Sequence, residues 1–134
     1  MKKFAKITAV ALVVVMALAV LVACGPAADP DKAVAALKEN DYVAAKVTTG
    51  GYNGMVAMVT GTKGVLGSLL SGENQFQTIT IYYFESTSAA NDAWEKIKSD
   101  SDKDKEKNKD SDWVCKKSGK VIYYGTKQAV KDAR

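Results

Sequence analysis

Apolar residues run from Ile7 to Val22 with Thr8 as the single polar interruption, and no such run recurs downstream. Beyond it the pattern breaks into short amphipathic pieces. Asp29-Pro30 reads as a helix start, with Asp as cap and Pro in the first turn. Val34 and Leu37 give that helix its apolar stripe and Asn40-Asp41 ends it. Tyr42 to Val47 and Met55 to Val59 read as strands. Between and after them seven of the ten glycines crowd into residues 50–72, where Thr62 to Leu70 suggests a short helix. Phe76 to Phe84, rich in β-branched and aromatic residues, is the clearest strand. Ser86-Thr87-Ser88 then caps a helix with Ala90, Ala93, Trp94 and Ile97 at helical spacing.

From Asp100 to Asp112 no apolar residue occurs, and Asp and Lys alternate. This stretch reads as a solvated helix extension or loop carrying weak i,i+3 pairs. Trp113 to Lys117 and Lys120 to Tyr124 form a hairpin about Ser118-Gly119, which would set Cys115 opposite Ile122 and Trp113 opposite Tyr124. Thr126 caps a last short helix through Ala129, Val130 and Ala133. Gly61-Thr62-Lys63 and Gly125-Thr126-Lys127 echo one another, each after a strand, which suggests two helix–strand–strand–helix units joined by the Phe76–Phe84 strand. The expected fold is α+β: about five mostly antiparallel strands with helices on one face.

The amino-terminal run gains meaning from its flanks. Lys2, Lys3 and Lys6 precede it and Leu21-Val22-Ala23-Cys24 follows it. A cationic start, an apolar stretch and small residues before a cut describe a secretory signal. Leu-Val-Ala-Cys resembles the lipobox of bacterial lipoproteins, in which a diacylglycerol is joined to the Cys sulfur and the preceding peptide is removed. The resemblance implies a signal peptide over residues 1–23, lipid on Cys24, a tether over 24–30 and one α+β domain over 31–134. It also implies a cell-membrane location on the extracytoplasmic side. With Cys24 lipidated, Cys115 has no intramolecular partner, so the fold must rest on its core without a disulfide.

The net charge of +4 hints at a polyanion partner until its location is considered. Without the first 23 residues and their three lysines, 16 Lys and Arg stand against 15 Asp and Glu. A near-neutral body predicts no nucleic-acid partner.

Candidate chemistry is sparse. The chain has no His, which removes the usual general base and the commonest metal ligand. Cys115, the lone free thiol, falls mid-strand on the hairpin's core face and reads as a small buried hydrophobe. Asp100-Ser101-Asp102-Lys103-Asp104 opens like a calcium loop, but Lys105 and Ser111 stand where Gly and a bidentate Glu are needed. Gly61-Thr62-Lys63-Gly64 has the wrong order for a phosphate loop. Most acids lie in solvated runs, and Glu85, closing the central strand, is the least implausible catalytic carboxylate. No catalytic residue, metal or cofactor is therefore expected, and the chain reads as non-enzymatic.

What remains is aromatic. Strand alternation sends Tyr82, Tyr83, Tyr123 and Tyr124 to both sheet faces. If helices cover one face, the other exposes Tyr82 and Tyr123 beside Lys116, a surface for an envelope protein or small ligand. The expected function is a membrane-anchored binding module. The alternative is a small inhibitor or immunity-type protein acting on an extracellular enzyme through a protruding loop at residues 50–74.

Overall fold

The computed structural model describes residues 25–64, 76–108 and 112–134. Helix α1 (Pro30–Glu39) leads into strands β1 (Val43–Val47) and β2 (Met55–Lys63), and β3 (Gln77–Phe84) follows. Helix α2 (Thr87–Lys107), the hairpin β4 (Trp113–Ser118) and β5 (Val121–Thr126), and helix α3 (Lys127–Asp132) complete the order. The strands form one sheet in the order β1-β2-β3-β5-β4, antiparallel throughout. The α+β expectation with five antiparallel strands therefore holds.

The expectation that helices cover one face does not. Ala33 and Leu37 of α1 and Ala129 and Val130 of α3 pack with Val59, Ile79, Ile81 and Tyr83 on one side. Ala90, Ala93 and Ile97 of α2 pack with Tyr82, Phe84, Ile122 and Tyr124 on the other. The cause is written in β3: from Ile79 to Phe84 only Thr80 is polar, so both of its faces demand cover.

Local signals place the helix ends. Asp29 Oδ1 accepts from the Asp31 N–H at 2.8 Å, Pro30 starts α1, and Asn40 closes it. Asp41 follows in the left-handed region at φ 67°, turning the chain into β1. Ser86 caps α2 through its hydroxyl on the Ala89 N–H at 3.1 Å. Thr126 precedes α3 but makes no side-chain cap bond; its hydroxyl lies instead against the backbone of Thr78 across the sheet.

Of the two forms expected for the charged run the helix extension is found: it is helical as far as Lys107, one continuous element with Ala90–Ile97. Two other sequence expectations shift. Thr62 and Lys63 belong to β2 rather than to a helix, and the rest of that expected helix lies outside the described residues. In the hairpin, Ser118 pairs with Val121, Cys115 with Tyr124 and Trp113 with Thr126. The turn is thus Gly119-Lys120, with φ 60° at Gly119 alone, because a two-residue loop with glycine first matches the strand twist. The shift spans two residues, so Trp113, Cys115, Ile122 and Tyr124 keep the common face the sequence predicts.

The sequence echo does not describe a duplication. Exchanging the β1–β2 and β4–β5 hairpins requires a rotation about β3, which also exchanges the sheet faces. Helices α1 and α2 obey it, lying on opposite faces. Gly61 and Gly125 do not: both stand opposite Ile79 and so share one face.

Candidate functional site

The predicted binding surface of Tyr82, Tyr123 and Lys116 is not assembled. Tyr82 and Tyr123 are only 7% and 5% exposed, on opposite faces of the sheet. Lys116 is exposed and pairs across the ladder with Tyr123. Tyr82 lies under α2, edge-on to Tyr52 with centroids 5.6 Å apart. Tyr123 is covered by the segment expected to be a tether: Gly25 packs so closely that a Cβ there would sit 3.1 Å from the Tyr123 hydroxyl. Pro26 is buried, the Ala27 N–H donates to the Ala133 carbonyl at 2.8 Å, and the Tyr83 hydroxyl donates to the Ala27 carbonyl at 2.7 Å. Residues 25–27 are part of the fold. Cys24, the predicted lipid site, lies outside the described residues.

Beneath the charged half of α2 runs a stripe of hydroxyl and carboxylate groups that sequence reasoning left in solvent. Ala90, Ala93, Ile97 and Ser101 are buried at successive helical spacings, and the stripe turns polar at Asp100. The Tyr52 hydroxyl donates to Asp100 Oδ2 at 3.0 Å. Ser101, fully buried, accepts from the Trp113 indole at 2.9 Å. The Tyr82 and Tyr124 rings lie side by side, centroids 6.2 Å apart and tilted by 41°, and Asp104 and Thr80 border the same cleft as Tyr124. The missed signal was register: Asp100, Ser101 and Asp104 continue the spacing of Ala90, Ala93 and Ile97, and short polar side chains fit a helix lying over tyrosine hydroxyls.

Burial, then these bonds to carboxylates, push tyrosine acidities away from their usual range. Tyr52 is raised to about 12 by burial and by its bond to Asp100. Tyr42 is raised by burial and by donating to Asp132 at 2.9 Å; Tyr82 and Tyr83 are raised chiefly by burial. Because the folded values lie above the ordinary 10.0, folding holds these protons, so the stability they confer is complete below pH 10 and drains as pH climbs through the folded values. Alkaline titration followed by tyrosinate absorbance is expected to show Tyr52 ionising only near pH 12 and Tyr42, Tyr82 and Tyr83 no earlier, together with loss of near-ultraviolet dichroism. In denaturant the same tyrosines should titrate near pH 10. Ionisation near pH 10 with dichroism intact would contradict this packing.

Cys115 is half-buried, and burial, its largest influence, raises its thiol. The Lys98 ammonium pulls the other way, but as the last of the influences on the thiol it does not offset burial, so Cys115 lacks the strongly cationic setting that a nucleophilic thiolate needs.

The concave surface lies elsewhere, at the start of α2. A cleft of about 510 Å³ is lined by the loop Gly51–Gly54, by Glu85, Ser86 and Ser88 at the β3–α2 junction, and by Asp92 and Lys96 one turn apart on α2. Three separate elements thus bring two carboxylates, an ammonium and hydroxyls to one opening. The loop is held down: Gly54, at φ 78°, leaves room for the Ala89 methyl, which a Cβ would approach to 2.6 Å. The Gly54 carbonyl also accepts the Glu85 N–H at 2.8 Å. This part of the loop expected to protrude therefore packs on α2, and its remainder beyond Gly64 lies outside the described residues. Glu85, Asp92 and Lys96 are exposed to solvent, which suits binding of a charged group better than proton transfer from a desolvated carboxyl. A second cleft of about 320 Å³ lies at the other end of α2, walled by Phe76, Trp113 and Tyr124.

No family model matches the chain, and no curated protein or solved structure is significantly similar to it.

Proposed function

We propose that this chain is a lipid-anchored envelope protein whose domain is a non-enzymatic binding module, taking a small polar ligand with charges of both signs into the cleft at the start of α2. The observation that carries the reading is the cleft's lining: Glu85 and Asp92 offer sites for a cationic group and Lys96 for an anionic one, on elements fixed by backbone and cap bonds. Its volume is within the range of small-ligand pockets. The anchor half rests on the resemblance of residues 1–24 to a lipoprotein signal. Among the described residues no helix is long and apolar enough to cross a membrane. Acyl chains on Cys24 would hold the domain at about 0.8 kcal/mol per buried methylene.

One preparation tests both halves. Protein isolated from its own membrane is expected to begin at Cys24 and carry a diacylglycerol by intact mass. In nuclear magnetic resonance titrations with a panel of free amino acids and dipeptides, at least one member should give saturable amide shifts confined to residues 51–54 and 85–96. The same addition should leave an Asp92→Ala/Lys96→Ala variant unshifted. An unprocessed, unacylated chain overturns the anchor; shifts that are absent, or identical in the variant, overturn the cleft.

A further inference from the structure

The charge of the folded chain is divided by position. Residues 112–134 carry six cations, Lys116, Lys117, Lys120, Lys127, Lys131 and Arg134, against Asp112 and Asp132 alone. Residues 25–111 carry ten cations against thirteen acids. The near-neutral body is thus an acidic portion joined to a hairpin–helix unit of net charge +4. Within that unit Lys117 turns to the α2 face, where it bonds Asn91. Lys116 stands on the other face of edge strand β4 beside Tyr123, exposed. Helix α3 buries Ala129 and Val130 against that same face and leaves Lys127 and Lys131, one turn apart, exposed on its outer side.

The chain enters the fold at this basic corner. Ala27 is bonded to Tyr83 of β3 and to Ala133 at the end of α3, and Gly25 lies on Tyr123 of β5. From Ala27 back to Gly25 the backbone crosses the sheet from β3 to β5, in the direction of β4 and Lys116. Gly25 is bonded directly to Cys24, so an acyl group on Cys24 has no free spacer between it and the domain. A protein held that close must rest some part of its surface on the bilayer. The other half of the same layer is a poorer choice, because Asp29, Asp31, Glu39 and Asp41 of α1 and its flanks are matched by Lys32, Lys38, Lys46 and Lys63, with Lys46 paired to Asp31 and Lys63 bonded to the Asn40 carbonyl, so that half has no net positive charge.

We propose that the domain rests on an anionic phospholipid surface through Lys116, Lys127, Lys131 and Arg134. The proposal depends on the lipid anchor and adds an orientation to it. Acyl chains and a basic patch then act as the two signals that make membrane attachment durable. The ligand cleft, formed by α2 on the opposite face of the sheet, opens away from the bilayer.

The acylated chain, its diacylglycerol verified by mass, is reconstituted into vesicles of phosphatidylcholine with or without roughly a third phosphatidylglycerol. Lysines are then acetylated with a membrane-impermeant reagent and the sites read by mass spectrometry. Lys116, Lys127 and Lys131 are expected to react several-fold more slowly on the anionic vesicles, with recovery in molar salt. Lys32 and Lys38 on α1, and Lys103 and Lys105 on α2, should react equally on both. Protection that is uniform, centred on α1, or the same on neutral vesicles overturns the orientation while leaving the anchor intact. A native chain without the acyl mass overturns anchor and orientation together.

Discussion

Replacing Gly125 with alanine is expected to remove at least about 3 kcal/mol of stability, the largest loss for any single added methyl in this fold. Gly125 is buried in β5, between Ile79 of β3 and Val114 of β4. A Cβ there would fall well inside contact distance of the Thr78 carbonyl oxygen, 2.8 Å from the Ile79 Cα and 3.1 Å from the Thr78 carbonyl carbon. These are backbone atoms of the central strand, so no side-chain rotation relieves the overlap. The ladder between β3 and β5 must open, and that ladder joins the two hairpins. A domain of this size has roughly 5–15 kcal/mol in all, so the variant gives up a large share of its margin. Gly119 is the control: its φ is 60° but nothing lies within 4 Å of an added Cβ. Alanine there should cost about 1–2 kcal/mol, the penalty of the left-handed conformation alone. Urea denaturation decides, as a lower midpoint at unchanged slope. Equal losses at positions 119 and 125 would mean that β3 and β5 do not approach as closely as described.

Much of this fold was legible because its local signals agree with one another. Asp29-Pro30 and Ser86 mark helix starts and are found as caps, and Ile79–Phe84 could be little else than a central strand. The errors have particular causes. Helices on both faces followed from an apolar run on both sides of β3, whereas the one-face expectation weighed the helices and not that strand. Exposure of Tyr82 and Tyr123 followed from that error, since an uncovered face was needed to display them. The hairpin was misplaced because Ser118-Gly119 and Gly119-Lys120 are both acceptable dipeptides, and only the positive φ at the first loop position selects the second. The charged run left helix extension and loop both open, and its buried side went unseen, because polar side chains on the inner face of a helix look like solvent-facing ones in a hydropathy pattern. The cleft was the least legible feature. Gly51–Gly54 lie far in sequence from Glu85 and Asp92–Lys96, and only the β1–β2 loop folding onto α2 brings them together.

The seating of α1 on the sheet gives the second large effect, one that neither residue shows alone. Leu37 is fully buried and lies over Gly61, where an added Cβ would meet its Cδ1 at 2.9 Å and the Ile79 Cγ2 at 3.4 Å. Leu37→Ala is expected to cost about 3–5 kcal/mol, because the cavity lies between a helix and a strand that cannot both move in to fill it. Gly61→Ala in the wild-type background should cost about 1–2 kcal/mol, as the new methyl forces Leu37 off its rotamer. Once Leu37 is alanine, the methyl at position 61 meets vacant space. It then contributes partial filling and a lower unfolded-state entropy, so the second substitution should restore about 0.5–1 kcal/mol. Four urea curves close the cycle, with an expected coupling of roughly 1.5–3 kcal/mol. Additivity within about 0.5 kcal/mol would show that the two side chains do not share a slot. The coupling is what allows the packing of α1 to be read from sequence: a glycine in the middle of a strand weakens it locally and is tolerated where a large side chain from another layer must reach the backbone. At Gly61 that side chain is Leu37, four residues short of the turn at Asp41 that sends the chain from α1 into the sheet.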